Sequence, residues 1–381
     1  MKKVFTLVSV MLMAVASLSA QQSLWGGQTA KSPEINPDNS VTFRLVAPKA
    51  VKVQVGGDFV TPVMGEVNGM AMEVTNPVDM KEVNGVWEYT TEPLASELYS
   101  YYFIVDGMTI KDPSNVYMIR DVNSVTNVFI IPGDKGDIYS VQDVPHGTVA
   151  KRWYDSPTLG MTRRMTVYTP AGYETSKEKY PVFYLFHGSG GDEESWMDLG
   201  RTAQILDNLI AQGKAVPMIV VMPYGNVFGS TPSPTTLAAA KMYQKFEQEL
   251  TECVMPFVEK NFRTKNNRES RAIAGFSRGG GQSLYSVYSN FDKFAYLASY
   301  SAYLTPEVMD TYFPDLQSKM SQLKLMWFGV GTSDFLYQNV LDHQNYFDEK
   351  GIKYEKMFTE GGHTWMNART YLAETLQKFF K

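Results

Sequence analysis

The stretch Ala274-Gly275-Phe276-Ser277-Arg278-Gly279-Gly280 carries the pattern Gly-x-Ser-x-Gly. Arg271-Ala-Ile-Ala precedes it and Gly281-Gln-Ser-Leu-Tyr-Ser-Val-Tyr follows it, so a short apolar strand meets a sharp turn and then a helix that opens on small residues. That is the setting of a nucleophile elbow, which holds a serine on a tight turn with its Oγ above the sheet edge. Glycines on both sides let strand and helix backbones approach without a Cβ clash. A serine hydroxyl is inert until a base takes its proton, so the motif predicts a histidine and an acid downstream.

Outward from the elbow, the chain alternates strands and helices from about residue 160. Pro181-Val-Phe-Tyr-Leu-Phe-His187 and Pro217-Met-Ile-Val-Val-Met-Pro223 are near-continuous apolar runs, as strands buried on both faces require. A helix is expected from about Ala239 to Phe262, kinked at Pro256. Strands follow at Phe294-Ala-Tyr-Leu-Ala-Ser, Leu323 to Val330 and Ile352 to Phe358. Leu372, Leu376 and Phe379 give the last helix its apolar face. The expected fold is α/β, with helices on both faces of a mostly parallel sheet, the α/β-hydrolase arrangement.

Residues 24 to about 133 read differently. Short alternating strands at Val41–Leu45, Val51–Val55, Gly85–Tyr89, Tyr99–Val105 and Asn127–Ile131 are separated by turn signals such as Asp106-Gly107. This predicts a small β-sandwich. The segment from Asp134 to about Ser156 is polar and reads as an irregular linker. The chain thus divides into 1–20, 21–135, 136–159 and 160–381.

Residues 1–20 pair Lys2 and Lys3 with a short apolar run and a small-residue end, the pattern of a cleaved export signal; the run is short for a membrane span of about 20 residues. An exported protein, periplasmic or secreted and cut near Ala20, is expected. Cleavage leaves 361 of the 381 residues and takes the formal charge from −5 to −7. A mildly acidic chain without a basic block argues against nucleic acid as a partner. Cys253 is the sole cysteine, so no internal disulfide can form, and it sits at helical spacing among Phe246, Leu250, Val254 and Phe257 as a buried thiol would. One cysteine and four scattered histidines assemble no metal site, and no cofactor is expected.

Of the four histidines, His363 in Glu360-Gly-Gly-His-Thr-Trp365 lies between the last strand and the last helix, at the carboxyl edge where open α/β sheets place their sites. His343 falls in a polar helical stretch and reads as a solvated surface residue. His146 belongs to the linker, and His187 ends a strand and holds the loop after it. The acid should fall between serine and histidine in the chain. Asp334 follows a strand and a turn, whereas Asp310, Asp342 and Asp348 sit in helical context. The loop His187-Gly-Ser-Gly-Gly191 offers an N–H near Ser189, and Arg278 offers the N–H directly after the serine, as two oxyanion donors. That loop lacks the Lys-Ser/Thr ending of a phosphate-binding P-loop.

Taken together, Tyr180-Pro-Val-Phe-Tyr-Leu-Phe-His-Gly-Ser-Gly-Gly-Asp-Glu-Glu-Ser-Trp196, Pro217 to Pro223, Gly275-Phe-Ser-Arg-Gly-Gly and Gly361-Gly-His-Thr-Trp365 resemble, in order, the esterase-D-like enzymes of carbohydrate esterase family 1. The resemblance covers roughly residues 145 to 381. It implies Ser277 as nucleophile, His363 as base, Asp334 as acid and the oxyanion N–H groups of Ser189 and Arg278. Trp196, Phe335 and Trp365 are expected to contact substrate. Feruloyl, acetyl xylan and siderophore esterases belong to this family, so feruloylated or acetylated plant polysaccharide and a ferric siderophore are the candidate substrates. Where many relatives have a second Trp, this chain has Met366 before Asn367, Ala368 and Arg369. The N-terminal segment resembles carbohydrate-binding module family 48 in Val41 to Pro48, Gly57-Asp-Phe59, Gly85-Val-Trp87 and Val105-Asp-Gly107, which implies an immunoglobulin-like β-sandwich ahead of the α/β-hydrolase part. Trp25, Trp87 and the tyrosines would then be sugar-stacking candidates. Two functional readings follow, a secreted serine esterase and a non-catalytic sugar-binding relic. In the first, residues 160–381 should suffice for small esters, with the β-rich part acting as a tether; the alternative is that a loop of the β-rich part forms one wall of the acyl pocket.

Overall fold

The computed structural model describes residues 30–67, 69–122, 124–227 and 237–381; the segment expected to be an export signal and Trp25 lie outside them. Within residues 30–133, antiparallel strands form two main sheets and a separate hairpin, Val63–Val67 with Met70–Val74. One runs in the order Glu34–Ile35, Val41–Val46, Val86–Thr90, Lys81–Val83, and the other Met118–Asp121, Ser124–Ile131, Glu97–Val105, Val53–Gly57, Val78–Asp79. Alternation along the strands sends Phe43 and Leu45 from the first sheet and Val55, Tyr101, Phe103 and Phe129 from the second into one core. Asp106 (φ 48°) and Gly107 (φ 86°) close the two-residue hairpin between Val105 and Met108. Trp87 belongs to this core, 9% exposed with its Nε1–H donating to the carbonyl of Ala47, so it is not a sugar platform.

The second body is an eight-stranded sheet in the order 148–156, 161–169, 219–223, 182–186, 271–276, 296–300, 325–331, 355–359. The last six positions are parallel and the first two form an antiparallel hairpin at one edge. The continuous apolar runs follow from burial on both faces. Val182, Tyr184 and Phe186 point into one core while Phe183 and Leu185 point into the other. Helices Leu237–Glu249, Arg278–Ser289 and Tyr337–Glu349 cover the first face; Thr202–Ala211 and Trp365–Leu376 cover the second. Among the described residues no helix is long and apolar enough to cross a membrane.

Three expectations need correction. The segment read as an irregular linker is ordered. It contains the helix Asp134–Tyr139 and the sheet's edge strand Thr148–Ser156. Asp207 fixes its middle by accepting from the Gly147 N–H (2.9 Å) and pairing with His146 (3.0 Å), and Asn208 donates to the carbonyls of Ile138 and Ser140. The kink expected at Pro256 is instead a π-helical turn, Leu250–Val254, which widens the helix just before the proline, whose missing N–H could not continue the α ladder. His343 is fully buried and not a surface residue. The N–H of Leu304 donates to its Nδ1 (3.0 Å) and its Nε2 lies 3.2 Å from the Tyr288 hydroxyl.

Candidate active site

Strand Arg271–Phe276 delivers Ser277 into a conformation few L-residues adopt, φ 55° and ψ −124°. Such backbone costs about 1–3 kcal/mol and persists only where neighbours over-determine it. Here the Ser277 N–H donates to the carbonyl of Tyr300 (2.8 Å), and the Ser277 carbonyl accepts from the N–H of Gly280 (2.9 Å). The flanking glycines are sterically compelled. A Cβ on Gly275 would lie 2.3 Å from Gly279, and one on Gly279 would lie 2.3 Å from the carbonyl oxygen of Phe186. Helix, elbow strand and the loop after Phe186 therefore meet backbone to backbone. Gly279→Ala is expected to push that loop off Ser277 and cost on the order of 10²–10³-fold in kcat for a nitrophenyl ester, the weight of a lost oxyanion donor. Unchanged kcat in steady-state assays would show that the loop is not needed.

The order of the sheet reverses between strands 182–186 and 271–276, and the crevice beyond their carboxyl ends is where open α/β sheets place ligands. The loop His187–Gly191 lies there, and a Cβ on Gly188 would sit 3.3 Å from the Ser277 Cβ. His187, buried, holds the loop: the Gly225 N–H donates to its Nε2 (2.8 Å), so Nδ1 carries the proton and donates to the carbonyl of Gly188 (2.8 Å). Arg278 Nη2 reaches the same carbonyl at 3.4 Å, and Gln282 donates to the Gly225 carbonyl (2.7 Å). Desolvation, joined by the Arg278 charge, pulls the His187 pKa down to about 4, and desolvation alone takes His343 to about 3.

These two histidines set an acid limit to stability. The unfolded chain protonates an ordinary imidazole at about pH 6.5, the folded chain only near 4 and 3. Between these values the unfolded state binds more protons, so stability falls as pH falls. Each histidine is expected to remove about 2 kcal/mol between pH 6.5 and 5. Urea denaturation at both pH values should show His343→Gln losing about half the wild-type increment. An equal loss in both proteins would remove His343 from the account.

Asp334 follows strand Leu325–Gly331 and its side chain is fully buried. His363 follows strand Glu355–Thr359, and its Nδ1 lies 2.9 and 3.1 Å from the two Asp334 oxygens. The Leu336 N–H also donates to Asp334 (2.8 Å). Facing a carboxylate, Nδ1 carries the proton and Nε2 is left as the proton acceptor. The two loops are tied by the Ser333 N–H donating to the Gly361 carbonyl (3.1 Å), and Asn367 holds the His363 loop by donating to the Gly362 carbonyl (2.8 Å). The imidazole lies between the rings of Phe276 (4.5 Å) and Phe335 (4.6 Å), beside the residue that precedes Ser277. Asp310 and Asp342 bond instead to Tyr346 and Gln338.

Ser189, Ser277 and Arg278 line one small cavity of about 40 Å³ with Tyr243, Tyr303 and Leu336. Phe335, 39% exposed, lies against the His363 ring and does not line this cavity. Trp196 corrects an expectation: it is 1% exposed, its Nε1–H donates to the Phe186 carbonyl (2.8 Å), and it meets Trp365 edge-on. It supports Trp365 from behind and cannot touch a ligand. A second cavity, about 210 Å³, is lined by His363, Trp365 and Met366 together with Asp58, Ser100 and Asp121 of the β-rich region. The β-rich region is thus a wall of this cavity, the alternative to a tether that the sequence left open. Tyr243, Tyr303 and Asp121 carry no motif, and Asp58 lies in the Gly57-Asp-Phe59 motif of the sugar-module resemblance and in no catalytic pattern; only the folded chain brings them to the serine and histidine. Among the described residues no three His, Cys, Asp or Glu side chains gather as a metal site requires.

An elbow serine with a buried Asp–His pair at the carboxyl edge of this sheet defines an ester hydrolase of the α/β-hydrolase type. Residues 156–379 match the Esterase family model, and the chain belongs to that family. It is 30% identical over 362 residues to an endo-1,4-beta-xylanase/feruloyl esterase of Xylanibacter ruminicola, which covers 92% of this chain and 46% of that protein. An esterase of Mycobacterium tuberculosis is 31% identical over 212 residues, 54% of this chain and 42% of its own. The chain therefore spans less than half the length of these curated relatives. Among solved structures, the CE1 ferulic acid esterase of Anaeromyces mucronatus superposes with a TM-score of 0.57 at 26% identity, over 64% of this chain and 95% of that one. The enterobactin esterase of Shigella flexneri superposes with a TM-score of 0.63 at 17% identity, over 94% and 98%, a likeness of fold that extends to the β-rich region.

Proposed function

We propose that the chain is an exported serine esterase that releases ferulate from arabinoxylan side chains through an acyl-enzyme. The observation that carries this reading is the His363–Asp334 pair beside the elbow serine, in a chain whose relatives include a feruloyl esterase. Ser277 Oγ attacks the ester carbonyl as His363 Nε2 takes its proton. Asp334 holds the tautomer and stabilises the imidazolium. The N–H groups of Arg278 and Ser189 receive the oxyanion, aided by the positive end of helix Arg278–Ser289. The imidazolium then protonates the departing sugar alkoxide, and water, deprotonated by His363, releases the acid. Residues 1–20 supply the export signal, and the β-rich region is read as a family-48-like sugar-binding module.

A siderophore substrate is polyanionic and calls for exposed cations. Arg201, Arg278 and Arg369 are instead turned inward, Arg201 onto the Tyr139 carbonyl and Arg369 onto Glu97. A second reading, acetyl esters of xylan, is favoured by the cavity beside Ser277, whose 40 Å³ is near the share of one water. The experiment is a panel of feruloylated arabinoxylan oligosaccharide, acetylated xylan and a triscatecholate trilactone. Highest kcat/KM on the first is expected; a clear preference for either of the others overturns the ferulate reading.

A further inference from the structure

We propose that the 210 Å³ cavity at the junction of the two regions is the subsite for the sugar that carries the ester, with Asp58 and Asp121 of the β-rich region receiving its hydroxyl groups. The inference deepens the esterase reading above and rests on it. The two cavities of the site divide by chemistry. The smaller touches Ser277 and both oxyanion positions, where the acyl carbonyl must lie. The larger touches the site through His363, the group that returns the proton to the departing alcohol. The alcohol half of the ester, here a pentose, therefore points into the larger one.

Its walls suit a sugar. Asp58 takes the N–H and Oγ of Ser100 on one carboxylate oxygen, 2.8 Å each. Asp121 is hydrogen-bonded by Trp365 and lies within the field of Asp58, and burial raises its pKa. Two acceptor-only groups across a cavity match vicinal hydroxyls, each a donor, and make charge-assisted hydrogen bonds with them. Trp365, Leu199 and Val128 offer apolar surface to the C–H face of a ring. The volume corresponds to about seven waters, room for one ring and not for a chain.

The wall is also fixed in place. Strand Met118–Asp121 is pinned to the serine-side loop by an ion pair between Arg120 and Asp192. A Cβ on Gly190 would lie 2.8 Å from Val122 Cγ1, so the turn after Asp121 abuts that loop directly. On the other side Trp365 bonds Asp121. A residue gripped from both sides of the site presents its carboxylate at a set distance from the reacting ester, which is what selection of the alcohol requires.

The test is the ratio of kcat/KM for a feruloylated arabinoxylan oligosaccharide to that for methyl ferulate, in the full chain and in Asp58→Ala and Asp121→Asn. The ratio is expected to fall about ten- to a hundredfold in each variant, the loss of one or two hydrogen bonds to a charged acceptor. An unchanged ratio, whether both activities fall together or neither does, overturns the subsite and leaves Asp121 a support for Trp365. A second readout is independent of the acyl group: competitive inhibition by the ester-free oligosaccharide, expected in wild type and lost in Asp58→Ala. Inhibition retained in that variant overturns the proposal. Failure of ferulate as the acyl group, with acetyl esters of the same sugar showing the ratio change, overturns the ferulate reading and supports the subsite.

Discussion

Ser277→Ala is expected to lower kcat for ester hydrolysis by on the order of 10⁴–10⁶-fold, the range over which removal of a serine nucleophile acts when its histidine remains. The fold should be unaffected, because the turn is held by backbone hydrogen bonds to Tyr300 and Gly280 and not by the hydroxyl. The positive φ adds a stability counterpart. Ser277→Gly removes the Cβ from a strained conformation and should raise unfolding free energy by about 1 kcal/mol while being equally inactive. Urea denaturation and single-turnover assays on both variants measure this. Retained turnover in Ser277→Ala would falsify the nucleophile assignment, and a less stable Ser277→Gly would remove the claim of strain.

That site was legible because its constraints are local. The glycines around Ser277 record backbone approaches that any such elbow must make, and His363 and Asp334 each sit in the first loop after a strand. What escaped the sequence was mostly a matter of which face of an element is covered. Thr148–Ser156 is an edge strand whose exposed face mixes Lys151 and Asp155 with Val149 and Trp153, so its alternation is diluted and reads as a loop. His343 carried a signal that its polar neighbours obscured: Val340, His343, Gln344 and Phe347 follow i, i+3, i+4, i+7 spacing, and all four are buried. The inward turn of Trp196 depends on a hydrogen bond to the Phe186 carbonyl that no spacing encodes. The approach of Asp58 and Asp121 to His363 is longer-ranged still, set by how two separately patterned regions dock.

That docking decides the other large effect. Residues 160–381 alone are expected to fail on small esters as well as on polymer, because the β-rich region is built into the catalytic body. Arg369, fully buried, pairs with Glu97 (3.2 Å) and donates to the carbonyls of Leu98 (2.8 Å) and Leu199 (3.0 Å). Leu98, Val128 and Ile130 pack into the core of the hydrolase sheet, while Met366, where many relatives carry tryptophan, packs into the core of the β-rich region. Cutting at 160 removes the edge strand, takes Leu98, Val128 and Ile130 out of the hydrolase core, exposes Met366 and strands the guanidinium two residues from Asn367, which holds the His363 loop. Loss of one partner from a buried ion pair costs about 3–5 kcal/mol, whereas replacing both by apolar groups of similar volume is often neutral. Glu97→Ala should therefore destabilise the full chain by about 3–5 kcal/mol in urea denaturation, and Glu97→Leu with Arg369→Met should recover most of it. A truncated chain that folds and turns over methyl ferulate like the whole protein would return the β-rich region to the role of a tether. An Arg369→Met single variant as stable as wild type would show that the pair does not hold the two regions together.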